Sequence, residues 1–143
     1  MMTLLPLVLL AAPLQAAPAP LPQATCPAID ADLPAPLKGW STTGTGMAMD
    51  RAFLLPAPNG EASANFTIAK GGRYRVALDQ AGWIDLVQGG KPLTSAGHGH
   101  GPSCTTIRKI VDFDLTPGAY TLKLTKIAKQ QAKVMLVAPA QNE

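Results

Sequence analysis

Cysteine, histidine, glutamate and aromatic residues are all scarce in this chain, and each scarcity closes off chemistry. Two cysteines cannot build a zinc ribbon. Aromatic residues make up 5%, and none interleaves with the late lysines Lys123, Lys126, Lys129 and Lys133, so that basic run lacks the stacking partners single-stranded nucleic acid needs. It reads instead as a solvated hairpin. Charged residues amount to 15% and the formal net charge is only +3, which demands neither nucleic acid nor a membrane surface as partner. There is no P-loop and no Gly-x-Ser-x-Gly elbow. Gly97-x-Gly99-x-Gly101 lacks the final spacing of a dinucleotide fingerprint.

What is abundant points to strands and turns. The 143 residues fit one domain, and 47% hydrophobic content is enough for a real core. Fourteen prolines and 13 glycines imply many turns and few long helices, which favours an all-β fold. Leu4 to Ala12 is an apolar run too short to span a bilayer, and small residues follow it at Ala16, Ala17 and Ala19. This pattern suits a secretory leader over 1–17, cleaved near Ala16 or Ala17, and places the protein in the periplasm or outside the cell. Gln23-Ala24-Thr25 before Cys26 is a poor lipobox. Residues 18–37 hold six prolines and read as an extended arm, 38–138 as the folded domain and 139–143 as a tail. In an oxidising compartment Cys26 and Cys104 are expected to pair, pinning the arm to the body. The alternatives are two free thiols, or a thiol serving as a metal ligand.

The domain shows about eight short strands separated by turns. Ala62, Ala64, Phe66 and Ile68 alternate with polar neighbours; Tyr74, Val76 and Leu78 do the same, and so do Tyr120, Leu122 and Leu124. Asn59-Gly60, Gly71-Gly72, Gly89-Gly90 and Thr116-Pro117-Gly118 punctuate them. A first strand is expected around Met47 to Leu55, a short one over Lys91 to Ser95, and a last one over Val134 to Val137. Thr105 to Leu115 reads as one strand in which Ile110 breaks the apolar phase, the mark of a bulge. Lys126 to Lys133 reads as a long hairpin tip or a helical turn. An antiparallel, jelly-roll-like β-sandwich accommodates all of this.

Three places carry residues that chemistry needs. His98-x-His100, in a Gly-rich loop, is a candidate for copper or zinc, because residues i and i+2 of an extended chain share a side. A third ligand is required from Asp112, Asp114, Met47, Met49 or an unpaired Cys104. Trp83 and Asp85 share one face of a strand opposite Ile84 and Leu86, and they form the candidate ligand-binding pair. Trp40 and Tyr74 are the other aromatics that a sugar ring would stack on if exposed. Asp112 and Asp114 sit on one face of a strand and read as its polar outer side.

Three segments are familiar together: GGRYRVALD at 71–79, AGWIDLVQGG at 81–90 and VDFDLTPGAYTLKL at 111–124. Over roughly residues 60–137 they are similar to the closing hairpins of pre-peptidase C-terminal domains and carbohydrate-binding modules, a resemblance that implies a fold more than a function. The whole pattern also resembles small exported bacterial proteins labelled homogentisate 1,2-dioxygenase. That resemblance implies a cupin-type ferrous site of two histidines and a carboxylate. A cupin's His-x-His is followed three or four residues later by Glu. Here Gly101-Pro102-Ser103-Cys104 follows His100, and the glutamates are Glu61 and Glu143.

The expectation is therefore an exported binding or accessory module without catalysis. Its contact surface is formed by residues 95–104 and the Trp83 strand, and its partner is a small molecule, glycan or protein. Metal binding by His98 and His100 is the first alternative, and a small metal-dependent dioxygenase the second.

Overall fold

A computed structural model describes residues 8–14 and 25–140. The expected cleavage site at Ala16 or Ala17, the start of the arm and the end of the tail lie outside them. Among the described residues the chain forms a 3-10 helix, Ala35–Ser41, and ten strands. These are β1 Thr43–Gly44, β2 Ala52–Pro56, β3 Ala62–Ile68, β4 Gly72–Leu78, β5 Trp83–Gln88, β6 Lys91–Pro92, β7 Gly97–Gly99, β8 Lys109–Leu115, β9 Gly118–Thr125 and β10 Gln131–Val137. No helix among the described residues is long and apolar enough to cross a membrane.

The strands form two sheets, ordered β1-β2-β10-β4-β8-β7 and β3-β9-β5-β6. Every pairing is antiparallel except β1 with β2. Without β1 and β7, each sheet has four strands and the chain crosses between them in jelly-roll order. The period-2 residues make the core. Phe66, Tyr120, Leu122 and Leu124 from the smaller sheet meet Tyr74, Val76, Leu78, Val111 and Phe113 from the larger one. Phe66 and Tyr120 stack with ring centroids 5.6 Å apart. The Tyr120 hydroxyl accepts from Thr116 N and donates to Thr116 O, locking the Thr-Pro-Gly turn. Gly89 and Gly90 both have positive φ, as a two-residue hairpin turn between β5 and β6 requires.

Several sequence expectations change in detail. The segment after the Gly-Gly turn is a strand only over Lys91 and Pro92, with one further bond to β5 where Leu93 N donates to Leu86 O at 2.8 Å. The strand expected from Thr105 begins at Lys109. Ile110 marks no bulge: β8 pairs with β4 in unbroken register from Lys109 to Leu115. Ile110 is apolar on the outward side because that side is covered too. Lys126 to Lys133 contains a turn, with Lys126 at φ 56°, and then the start of β10.

The cover is the N-terminal arm together with the 3-10 helix that continues it. Leu33, Leu37 and Trp40 pack with Ala52, Ala77, Ile107, Ile110, Met135 and Val137 in a second apolar cluster on the outer face of the larger sheet. The Cys26–Cys104 disulfide ties the arm down, with Cα atoms 5.3 Å apart across 78 residues of sequence. Asp30 accepts from Thr106 N (2.7 Å) and from the Thr106 hydroxyl (2.6 Å), and Trp40 Nε1 donates to that hydroxyl at 2.9 Å. The arm is thus held by a covalent bond, a polar clasp and an apolar face together.

Beyond the arm, this outer face is ionic. Arg73 pairs with Asp114 at 2.9 Å and Arg75 with Asp112 at 3.5 Å. The hydrogen bond from Arg73 holds the Asp114 carboxyl below its ordinary value near 3.8. A carboxylate depressed in the folded state adds stability above its unfolded pKa and loses it as pH falls through the folded value. Both partners are exposed, so the effect is small. Asp114→Asn is expected to lower the thermal midpoint slightly at pH 7 and to leave it equal to wild type near pH 2. An equal difference at both pH values would show that the pair contributes no pH-linked stability.

Candidate functional site

The two sheets do not close on one side. β6 covers only the far end of β5, and β7 is three residues long. Between these edges lies a cleft of about 310 Å³, lined by Trp83, Ile84, Asp85, Leu93, Ser95, His98, Lys109, Val111 and Phe113. Ile84, Val111 and Phe113 are buried and form an apolar floor. Trp83, Asp85, Ser95 and His98 supply a rim of hydroxyl, carboxylate, imidazole and indole. An apolar base with a few convergent polar groups is the usual character of a small-molecule site, and the volume is at the small end of that range.

Each rim residue has a local cause. In β5 the alternation that buries Ile84 and Leu86 turns Trp83 and Asp85 away from the core. Lys123 stands opposite Asp85 on β9, and Thr125 opposite Trp83. Trp83 is 55% exposed, whereas Trp40 is fully buried and Tyr74 is buried with its hydroxyl bonded to Lys70 O. Of the three aromatics weighed for stacking, only Trp83 offers a surface. His98 reaches the cleft because the Gly-rich loop forms β7, pairing His98 with the core-facing Val111. Ala96 N, which donates to Asp112 O at 2.7 Å, extends that pairing. Gly101 has a steric role: a Cβ there would collide with Ile107. His100 follows the end of β7 and does not line the cleft.

Sequence reasoning passed over Lys109. Its ammonium lies 5.0 Å from the Trp83 ring centroid and donates to Gly82 O at 2.8 Å, so it braces the indole by a cation–π contact. The signal was present: Lys109 occupies the inward phase of Val111, Phe113 and Leu115, where an amine needs a partner.

The metal ligands weighed in sequence are scattered. Cys104 is in the disulfide. Asp112 and Asp114 are ion-paired with arginines on the outer face. Met47 packs on the core, and Met49 bridges to Leu136 of β10. Strand β10 lies three strand spacings from β7, about 14 Å. Among the described residues no three of His, Cys, Asp and Glu come together as a metal site. The ferrous centre implied by the dioxygenase resemblance needs two histidines and a carboxylate, and this donor set does not fit it. Ser95, His98 and Asp85 are the residue types of a hydrolase triad and line one cleft. No hydrogen bond among those found for the described residues joins them, so Ser95 has no aligned base. The late lysines also fail to form one patch. Lys123 lies on the smaller sheet, Lys129 pairs with Asp79 at 3.7 Å, and Lys133 stacks on Trp40.

A scan against protein-family models finds no match to this chain, and a search of curated proteins finds none.

Proposed function

We propose that this chain is an exported, non-enzymatic binding module that takes a small hydroxyl-rich ring, such as a sugar unit of a glycan, in the cleft between β5 and β7–β8. The observation that carries this reading is the meeting of Trp83, Asp85 and His98 around one apolar floor. An indole face packs against the C–H face of a sugar ring, while a carboxylate and an imidazole accept its hydroxyl protons. Export is supported by the apolar leader sequence and by a disulfide, which persists in oxidising compartments.

The test uses the mature chain and a panel of mono- and oligosaccharides. Trp40 is buried and Trp83 exposed, so a ligand-induced change in tryptophan emission reports the cleft. Saturable binding is expected, weakened at least tenfold (about 1.4 kcal/mol) by Trp83→Ala and to a smaller degree by Asp85→Asn. Binding that Trp83→Ala leaves unchanged rejects the cleft as the site, and failure of every sugar rejects the ligand class.

Copper or zinc binding is the second reading, supported by His98 and Asp85 lining the same cleft with His100 close in sequence. The same titration with each ion separates the two. Stoichiometric metal lost in His98→Ala, with no sugar response, favours metal handling.

A further inference from the structure

A second groove lies on the opposite face of the larger sheet, beside the disulfide loop. It encloses about 410 Å³ and is lined by Asp79, Thr105, Thr106, Ile107, Arg108, Lys129 and Lys133. Its charged residues come from three distant stretches of sequence. Arg108 N donates to Leu78 O at 2.8 Å, and Asp79 N donates to Lys133 O at 3.1 Å. These bonds continue the β8–β4–β10 ladder by one step and set Arg108, Asp79 and Lys133 side by side in the row after Ile110, Ala77 and Met135.

The row holds one carboxylate, and that carboxylate is already engaged. Asp79 Oδ1 accepts from Gln80 Nε2 at 3.0 Å and from Lys133 N at 3.1 Å, and Oδ2 pairs with Lys129 at 3.7 Å. Arg108 and Lys133 have no acidic side chain within 4 Å among the described residues. The Lys133 ammonium instead lies 4.6 Å from the Trp40 ring centroid, which positions it without neutralising it. A second carboxylate, Asp30, is held on the wall residue Thr106, so three cations face two carboxylates and the groove is net positive. It combines an arginine fork with two ammonium groups, and Thr105 stands on its wall with its hydroxyl directed to Pro102 O.

We propose that this groove binds a phosphate or sulfate group, either as a free ion or carried on a larger polyanion. A planar guanidinium offers two parallel donors to adjacent oxygens of a tetrahedral oxyanion, and the two lysines supply point charges on its other sides. The site is independent of the cleft, because Arg108, just before β8, lines this groove while Lys109, the first residue of β8, lines the cleft.

Inorganic phosphate, inorganic sulfate and dextran sulfate are titrated into the mature protein at constant ionic strength set with chloride, with amide NMR shifts as readout. Shifts are expected to concentrate at 105–108, 129 and 133. Arg108→Gln is expected to weaken binding about tenfold or more. Lys129→Gln should weaken it less, and Lys91→Gln, on β6, should change nothing. Saturation by the inorganic ions identifies a free-oxyanion site, and saturation by dextran sulfate alone, still dependent on Arg108, identifies a group carried on a polymer. Shifts spread over all surface lysines, or affinity unmoved by Arg108→Gln, overturn the proposal. Sugar binding in the cleft should be unaffected by Arg108→Gln, so either reading can fail without the other.

Discussion

Trp40→Ala is expected to lower the unfolding free energy by about 3–5 kcal/mol, the range for deleting a large buried aromatic. Trp40 is fully buried, although it belongs to the 3-10 helix and not to the sandwich core. Its ring fills the space between Leu33, Leu37 and the outer face of the larger sheet, and Lys133 lies against it. Its removal opens a cavity that the 3-10 helix cannot easily close, because the backbone of Gly39 is pressed against Asp50 O. It also leaves the Thr106 hydroxyl without the donor it receives from Trp40 Nε1. Chemical denaturation of the mature protein measures the difference. A loss under about 1 kcal/mol would mean that the arm contributes little to the folded state.

Removing the disulfide is expected to lower stability by about 2–4 kcal/mol, because the bridge closes a long loop in the unfolded chain. Cys26→Ser/Cys104→Ser is the variant to compare with oxidised wild type under the same denaturant series. The fold should survive, since Asp30, Leu33, Leu37 and Trp40 still hold the arm to the sheet. Combined with Trp40→Ala, the losses should sum to less than their total by about 0.5–3 kcal/mol, because both changes release the same segment. Strict additivity would refute the view that residues 26–41 dock as one unit.

The two candidate sites were legible to different degrees. Trp83 and Asp85 could be read from β5 alone, because a period-2 pattern states which residues turn outward. His98 could be picked out by residue type, but its inward placement depends on pairing between Gly97–Gly99 and β8, and glycine has no strand preference to announce that. Lys109 showed itself only as an amine in an apolar phase. The groove at Arg108 was illegible, because a bend after β4, a residue before β8 and the start of β10 meet only across the sheet.

The features readable without a fold are local. Alternation and turn dipeptides set the eight jelly-roll strands and their inward faces, because side-chain direction in a strand follows from position alone. The apolar N-terminal run and the paired count of cysteines likewise needed no fold to be seen. The outer side of the larger sheet is set by long-range packing. Ile110 breaks the strand's apolar phase because it packs under the covering segment, and Trp40, an aromatic a sugar ring would stack on if exposed, is buried in the same cluster. The covering depends on contacts between residues 76 and 78 positions apart, Asp30 with Thr106 and Cys26 with Cys104. No periodicity encodes such contacts. They exist because an exposed apolar sheet face is unfavourable in water, and this arm, tethered by its disulfide, is the segment of the chain that buries it.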